Sequence, residues 1–264
     1  MLTTRGRLAR GLLPLAAATA LLTGCTDEPT PPAPSSTSAP VTSSPPVTSS
    51  APATTRPPTS SPTKTATSVA EAYRAARTAS LSAQSGHAKG FVTREGTRLG
   101  VDVEGLANGS NQTVFISTLD GGTAEVLTVG DDYWVGGDEA YWASTTGDAE
   151  NAAKLVGRYA PITESDATEL GTFTLRSLLT HTFSLPELTV LESDTGEATR
   201  TEVDGRPAFV LGREGGARMW VAADGSGTLL RVVGPPTDPS DLTFTDWERA
   251  RTFTPPAPAD LLDN

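Results

Sequence analysis

The chain has 264 residues, a formal net charge of −11 and hydrophobic residues at 37% of positions. One Cys and two His cannot build a disulfide framework, a Cys-rich zinc site or a Cys–His nucleophile pair. The acidic balance excludes the cationic footprint that nucleic-acid binding needs.

The N-terminus carries Arg5, Arg7 and Arg10 and no acid. An apolar or small run follows from Gly11 to Leu22, interrupted by Pro14 and Thr19. A membrane-spanning helix needs about 20 apolar residues, so this run fits a secretory signal better than a span. It ends in Leu22-Thr23-Gly24-Cys25, which resembles the bacterial lipobox. Residues 1–24 are therefore expected to be a lipoprotein signal peptide, and Cys25 the acceptor of a diacylglycerol anchor. The mature protein would sit on the extracytoplasmic face of the cell membrane. Arg outnumbers Lys 17 to 3, a bias that suggests a high-GC, actinobacterial genome.

Residues 26–67 hold 31 Pro, Ser or Thr in 42 positions. Such a segment cannot bury enough apolar surface to offset its ordering entropy, so 25–67 is expected to be a lipidated Cys followed by a disordered tether. As polyproline II it would reach about 130 Å. Its composition suits either O-glycosylation or a bare spacer.

Folding is left to residues 68–264, enough for one domain. Ser68 and Glu71 have capping-box spacing, and Val69, Ala72, Tyr73, Ala76 and Ala79 follow at helical spacing, so the spacing predicts a helix to about Ser80. Leu99, Val101 and Val103 then alternate with polar or small residues, the mark of a half-buried strand. Strands are predicted over His87–Glu95, Gln112–Leu119, Thr123–Val129, Tyr133–Val135 and Ala140–Ala143. Short turns such as Glu95-Gly96 and Asn108-Gly109 make the sheet antiparallel. Helices are predicted over Asp148–Tyr159 and Thr172–Phe183. Strands resume over Leu188–Glu192, Thr199–Val203, Ala208–Leu211, Arg218–Ala222, Thr228–Val233 and Leu242–Trp247. The pattern implies an α+β fold, with one large antiparallel sheet and helices against one face.

The order of these parts resembles the actinobacterial LppX/LprG-type lipoproteins. The resemblance is carried by the lipobox, the tether, Ser85-Gly86-His87-Ala88-Lys89-Gly90, Val129-Gly130-Asp131-Asp132-Tyr133-Trp134-Val135, Arg206-Pro207-Ala208-Phe209 and Thr243-Phe244-Thr245-Asp246-Trp247. It implies an LppX/LolA-like domain over 68–264: a half-open β-barrel, shared with the LolA/LolB carriers, with helices on its concave face. It also implies a hydrophobic cavity that takes a lipid or glycolipid ligand. The candidate lining is Val101, Val103, Ile116, Leu178, Leu179, Phe209, Leu211, Trp220 and Leu230, because several strands are apolar on both faces. Apolarity on both faces also suits a filled core with loop cover.

No catalytic motif stands out. His87 and His181 form no ligand or triad spacing. Asp131, Asp132, Asp138 and Glu139 offer oxygen ligands, but their spacing is not an EF-hand loop and Asp-Gly pairs are ordinary turn chemistry. No metal, cofactor, catalytic residue or nucleic-acid partner is expected, and a monomer is. The sequence therefore reads as a non-enzymatic lipid binder or carrier. The alternative is a structural or protein-interaction lipoprotein with a filled interior.

Overall fold

The computed structural model describes residues 67–118, 121–171 and 173–262. Cys25 and residues 26–66, the expected anchor and most of the expected tether, lie outside the described residues. The described chain is an α+β fold built on one 11-stranded sheet. Chain order gives β1 (Ser85–Arg94), β2 (Thr97–Leu106), β3 (Asn111–Thr118), β4 (Gly122–Val129), β5 (Asp132–Gly137), β6 (Ala160–Ile162), β7 (Thr199–Val203), β8 (Arg206–Gly212), β9 (Arg218–Ala222), β10 (Leu229–Val233) and β11 (Asp241–Thr245). Spatial order runs β6-β5-β4-β3-β2-β1-β11-β10-β9-β8-β7, antiparallel throughout. Most neighbours are joined by short connections; β5 and β6 pair across the insertion that holds two helices, and the pairing of β1 with β11 welds the two halves. The sheet is open, since β6 and β7 are its two edges.

Side-chain alternation decides which face is covered. Val103, Val114, Val126 and Val135 lie directly opposite one another on β2 to β5, and all four are buried. Val232, Met219 and Leu211 continue this face across β10, β9 and β8. Helices cover it. Helix α1 (Val69–Ser82) starts at a reciprocal capping box: Ser68 Oγ accepts from the Glu71 amide at 3.2 Å, and Glu71 Oε2 accepts from the Ser68 amide at 2.9 Å. The Tyr73 ring meets Phe183 edge-on at 5.9 Å, which ties α1 to α5 (Leu175–Ser184). Thr174 Oγ1 accepts from the Ser177 amide at 3.0 Å, and so sets the start of α5 three residues later than the helical spacing suggests. A second cluster, Ala124, Val126, Val135, Tyr141, Trp142, Ala152 and Ala167, fills the space beneath α2 (Glu139–Thr146), α3 (Ala149–Leu155) and α4 (Glu164–Glu169).

Two predicted strands are helical. Ala140–Ala143 lies within α2, because Asp138 Oδ1 accepts from the Tyr141 amide at 2.8 Å and Gly147 closes the helix in the left-handed region. A four-residue apolar window carries no period that separates strand from helix, and the caps outweigh it. Leu188–Glu192 falls in α6 (Pro186–Thr189) and the 3₁₀ turn Val190–Ser193. Pro186 pre-sets the first helical position, and Leu188 and Leu191 are buried at helical spacing. The two-residue turns hold as expected: Glu95-Gly96 and Asp204-Gly205 have positive φ at both positions, the primed geometry that matches strand twist. The described chain has six α-helices, twice the number that periodicity indicates, and a short extra strand, β6. Among the described residues, no helix is long and apolar enough to cross a membrane.

Candidate functional site

Three elements converge at one end of the helix-covered face: the tip of the β1–β2 hairpin, helix α5 and the loop 234–240. The loop is closed on itself by Gly234 N–H donating to the Ser240 carbonyl at 2.9 Å and Asp238 N–H to the Pro235 carbonyl at 3.0 Å. It is fastened on both sides. Thr93 Oγ1 donates to the Pro239 carbonyl at 2.7 Å, and His181 Nε2 lies 3.0 Å from Asp238 Oδ2. Between these walls lies a cleft of about 310 Å³. Val92, Leu178, Leu185 and Leu242 form its apolar depth, with Phe173 beside them; Arg94, His181 and Asp238 stand at its rim.

A second cleft, of about 490 Å³, opens between the start of α1, the α6 turn and the ends of β8 and β9. Val69, Leu191, Val210, Leu211 and Ala217 are its apolar surfaces. Its charged groups are Glu187, Asp194, Glu197 and Arg213.

The nine expected lining residues divide three ways. Leu178 lines the first cleft and Leu211 the second. Val101, Val103, Ile116, Leu179 and Phe209 are at most 7% exposed and pack into the main core cluster, where they line neither cleft. Trp220 and Leu230 belong to a separate cluster with Ala208 and Ala222. Strand alternation puts Trp220 on the face opposite Met219 and Val221. A register shift between Leu229 and Arg231 turns Leu230 the same way, because a bulge resets the alternation by one residue. The apolar residues on both sides of β9 and β10 therefore serve two separate clusters.

Sequence reasoning missed Val92, Arg94, Phe173, Leu185, Asp238 and Leu242 at the first cleft. Each sits in an ordinary strand, helix-flank or loop pattern. The β1–β11 pairing and the contact between His181 and Asp238, 57 residues apart, bring them together.

The face opposite the helices carries an ionic network. His87 Nε2 lies 2.6 Å from Asp102 Oδ1, and Lys89 Nζ lies 2.8 Å from Asp102 Oδ2. The hydrogen bond to Asp102 raises the His87 pKa against the opposing effect of burial. The hydrogen bond from His87, helped by Lys89, holds Asp102 at about 2. The acidic group around β5 has structural work: Asp138 caps α2 and its Oδ2 accepts from the Thr123 amide at 2.9 Å. Among the described residues, no group of three or more His, Cys, Asp and Glu is placed to hold a metal ion.

No family model and no curated protein matches the sequence. Among solved structures, the chain is similar to LprF from Mycobacterium bovis, with 16% identity over 72% of this chain and 96% of that one and a TM-score of 0.42. It is similar to the Mycobacterium tuberculosis lipoprotein LppX at 18% identity, over 68% and 94% of the two chains, with a TM-score of 0.39. The MucA/MucB complex of Pseudomonas aeruginosa aligns at 16% identity over 72% of this chain and 59% of that one, with a TM-score of 0.26.

Proposed function

We propose that this protein is a lipid-anchored cell-envelope protein that binds or carries a lipid or other acylated ligand in the cleft beside α5. In this reading residues 1–24 are removed, Cys25 holds the protein to the extracytoplasmic face of the membrane, and 26–67 is the tether for the binding domain. The cleft itself carries the proposal. Its depth is built from aliphatic and aromatic side chains, its volume of about 310 Å³ suits a small ligand, and polar groups are confined to the rim, as in small-molecule sites generally. Binding there would be driven by apolar burial, about 0.8 kcal/mol per methylene before ordering costs.

The test is solvent extraction and mass spectrometry of the full chain purified with and without Leu178→Trp, which fills the cleft. Acyl lipid should leave with the parent protein and be depleted in the variant. Equal lipid content in both, or none in the parent, would overturn the proposal. For the anchor, Cys25→Ser should leave the precursor uncleaved or shed it from the membrane; a variant processed and recovered in the detergent phase would overturn that part.

A second reading, a protein-interaction lipoprotein, draws support from the packed centre. Val101, Val103, Ile116, Leu179 and Phe209 leave the region beneath the helices filled. It predicts no co-purifying lipid and no effect of Leu178→Trp on any apolar probe.

A further inference from the structure

We propose that the cleft beside α5 takes a single acyl chain carried on an anionic head group, with Arg94 as the head-group partner. This deepens the lipid-binding reading and rests on it. Two observations carry it, one of charge and one of size.

The rim has three charged or titratable side chains: Arg94, His181 and Asp238. His181 Nε2 lies 3.0 Å from Asp238 Oδ2, so each of these two side chains has the other as its hydrogen-bond partner. Arg94 has no carboxylate within ion-pair distance among the described residues, in a chain with 31 Asp and Glu. Its guanidinium instead lies against Gly171, so closely that a Cβ there would come 2.6 Å from Nη1. Gly171 has φ +85°, and the absence of a side chain leaves the guanidinium its place beside the apolar wall. A planar cation at the mouth of an apolar cleft is complementary to a carboxylate, sulfate or phosphate on an alkyl chain. The second cleft lacks this complementarity, because Glu187, Asp194 and Glu197 outnumber Arg213 on its lining.

Size limits the chain count. At roughly 30 Å³ per water-sized group, the cleft of about 310 Å³ holds on the order of ten carbons. That is one medium chain, or the inner part of one long chain, and too little for two chains side by side.

The test is calorimetric titration of the full chain carrying Cys25→Ser, with amphiphiles below their micelle concentrations. Across octanoate, decanoate, dodecanoate and tetradecanoate, affinity should rise about fourfold per methylene and level off at about ten to twelve carbons. At equal chain length, dodecanoate and dodecyl sulfate should bind about fivefold tighter than dodecyl maltoside or dodecyltrimethylammonium. Arg94→Gln should erase that preference, and Arg94→Lys should keep part of it. Equal binding of neutral, cationic and anionic heads, or no effect of Arg94→Gln, would overturn the anionic assignment and leave lipid binding standing. Affinity that still climbs about fourfold per methylene from dodecanoate to tetradecanoate would overturn the single-chain size limit alone. If no amphiphile binds, or if Leu178→Trp leaves binding unchanged, the underlying lipid-binding reading fails as well.

Discussion

His87 and Asp102 sit diagonally on adjacent strands of the face opposite the helices, with Nε2 2.6 Å from Oδ1. Both side chains are about a quarter exposed, and Lys89, Asp246 and Thr245 approach the same pair. Folding favours protonated His87 and ionised Asp102, each chiefly through the other, so the interaction is counted once.

The pair gives a pH dependence with a defined sign. A raised His pKa stabilises fully below the unfolded value near 6.5, and that stabilisation is lost as pH climbs through the folded value. Asp102, at about 2 against an ordinary 3.8, stabilises fully above about pH 4, and loses this as pH falls toward 2. Stability should therefore peak between about pH 4 and 6.5. Solvent screening brings the amplitude to about 1 kcal/mol. Melting temperatures of the parent should fall from pH 6 to 8.5. His87→Gln, which cannot charge, should flatten that slope; an unchanged slope would show that the pair contributes nothing.

The strands of this face were legible because their signals are local. Leu99, Val101 and Val103 alternate, and Glu95-Gly96 and Asp204-Gly205 can take positive φ cheaply, so strand and turn coincide in the chain. Helix α2 was not legible, since Tyr141 and Trp142 read as strand while the deciding group, Asp138, lies just outside the apolar window. The candidate site was read only through Leu178 and Leu211. Its other residues acquire meaning from one long-range event, the pairing of β1 with β11, which no spacing in the sequence encodes.

That pairing makes a sharp demand at Gly90. It has φ +149°, and a Cβ there would lie 1.9 Å from the Asp241 carbonyl oxygen. Gly90→Ala must push β1 off β11, at a cost of about 3 kcal/mol or more. Gly96→Ala also meets a positive φ, +79°, but nothing lies within 4 Å, so strain alone should cost about 1 kcal/mol. Urea midpoints of the two variants should separate accordingly. Similar midpoints would mean that the strands can part locally without loss.

The C-terminal segment after β11 returns across the sheet and is clamped at Asn111. Its Nδ2 donates to the Phe253 carbonyl at 2.9 Å, and its Oδ1 accepts from the Phe253 amide at 2.8 Å. Further along, Tyr159, just before β6, donates its backbone N–H to the Asp260 carbonyl and accepts at its own carbonyl from the Leu262 amide, both at 2.8 Å. Asn111→Ala removes both bonds of the clamp and should cost about 1–2 kcal/mol. Limited proteolysis should then cut near residues 250–256 several times faster than in the parent. An unchanged cleavage rate would show that the segment is held by its other contacts.

Val103 separates packing from binding. It is 1% exposed, faces Val114 and Ala88 across its neighbouring strands, and lines neither cleft beside the helices. Val103→Ala removes two methyl groups from a filled core, and should destabilise the domain by about 2 kcal/mol through lost burial and a residual void. Dodecanoate affinity should stay within about twofold of the parent, since the chain-binding wall is elsewhere. Leu178→Ala should do the opposite to the ligand. It enlarges the cleft by about three carbons' worth of space, so the chain-length optimum should move upward by two to three methylenes, besides any loss of stability. If Val103→Ala shifts the chain-length optimum and Leu178→Ala does not, the ligand lies beneath the centre of the helical layer, and the sequence-based lining is the better guide.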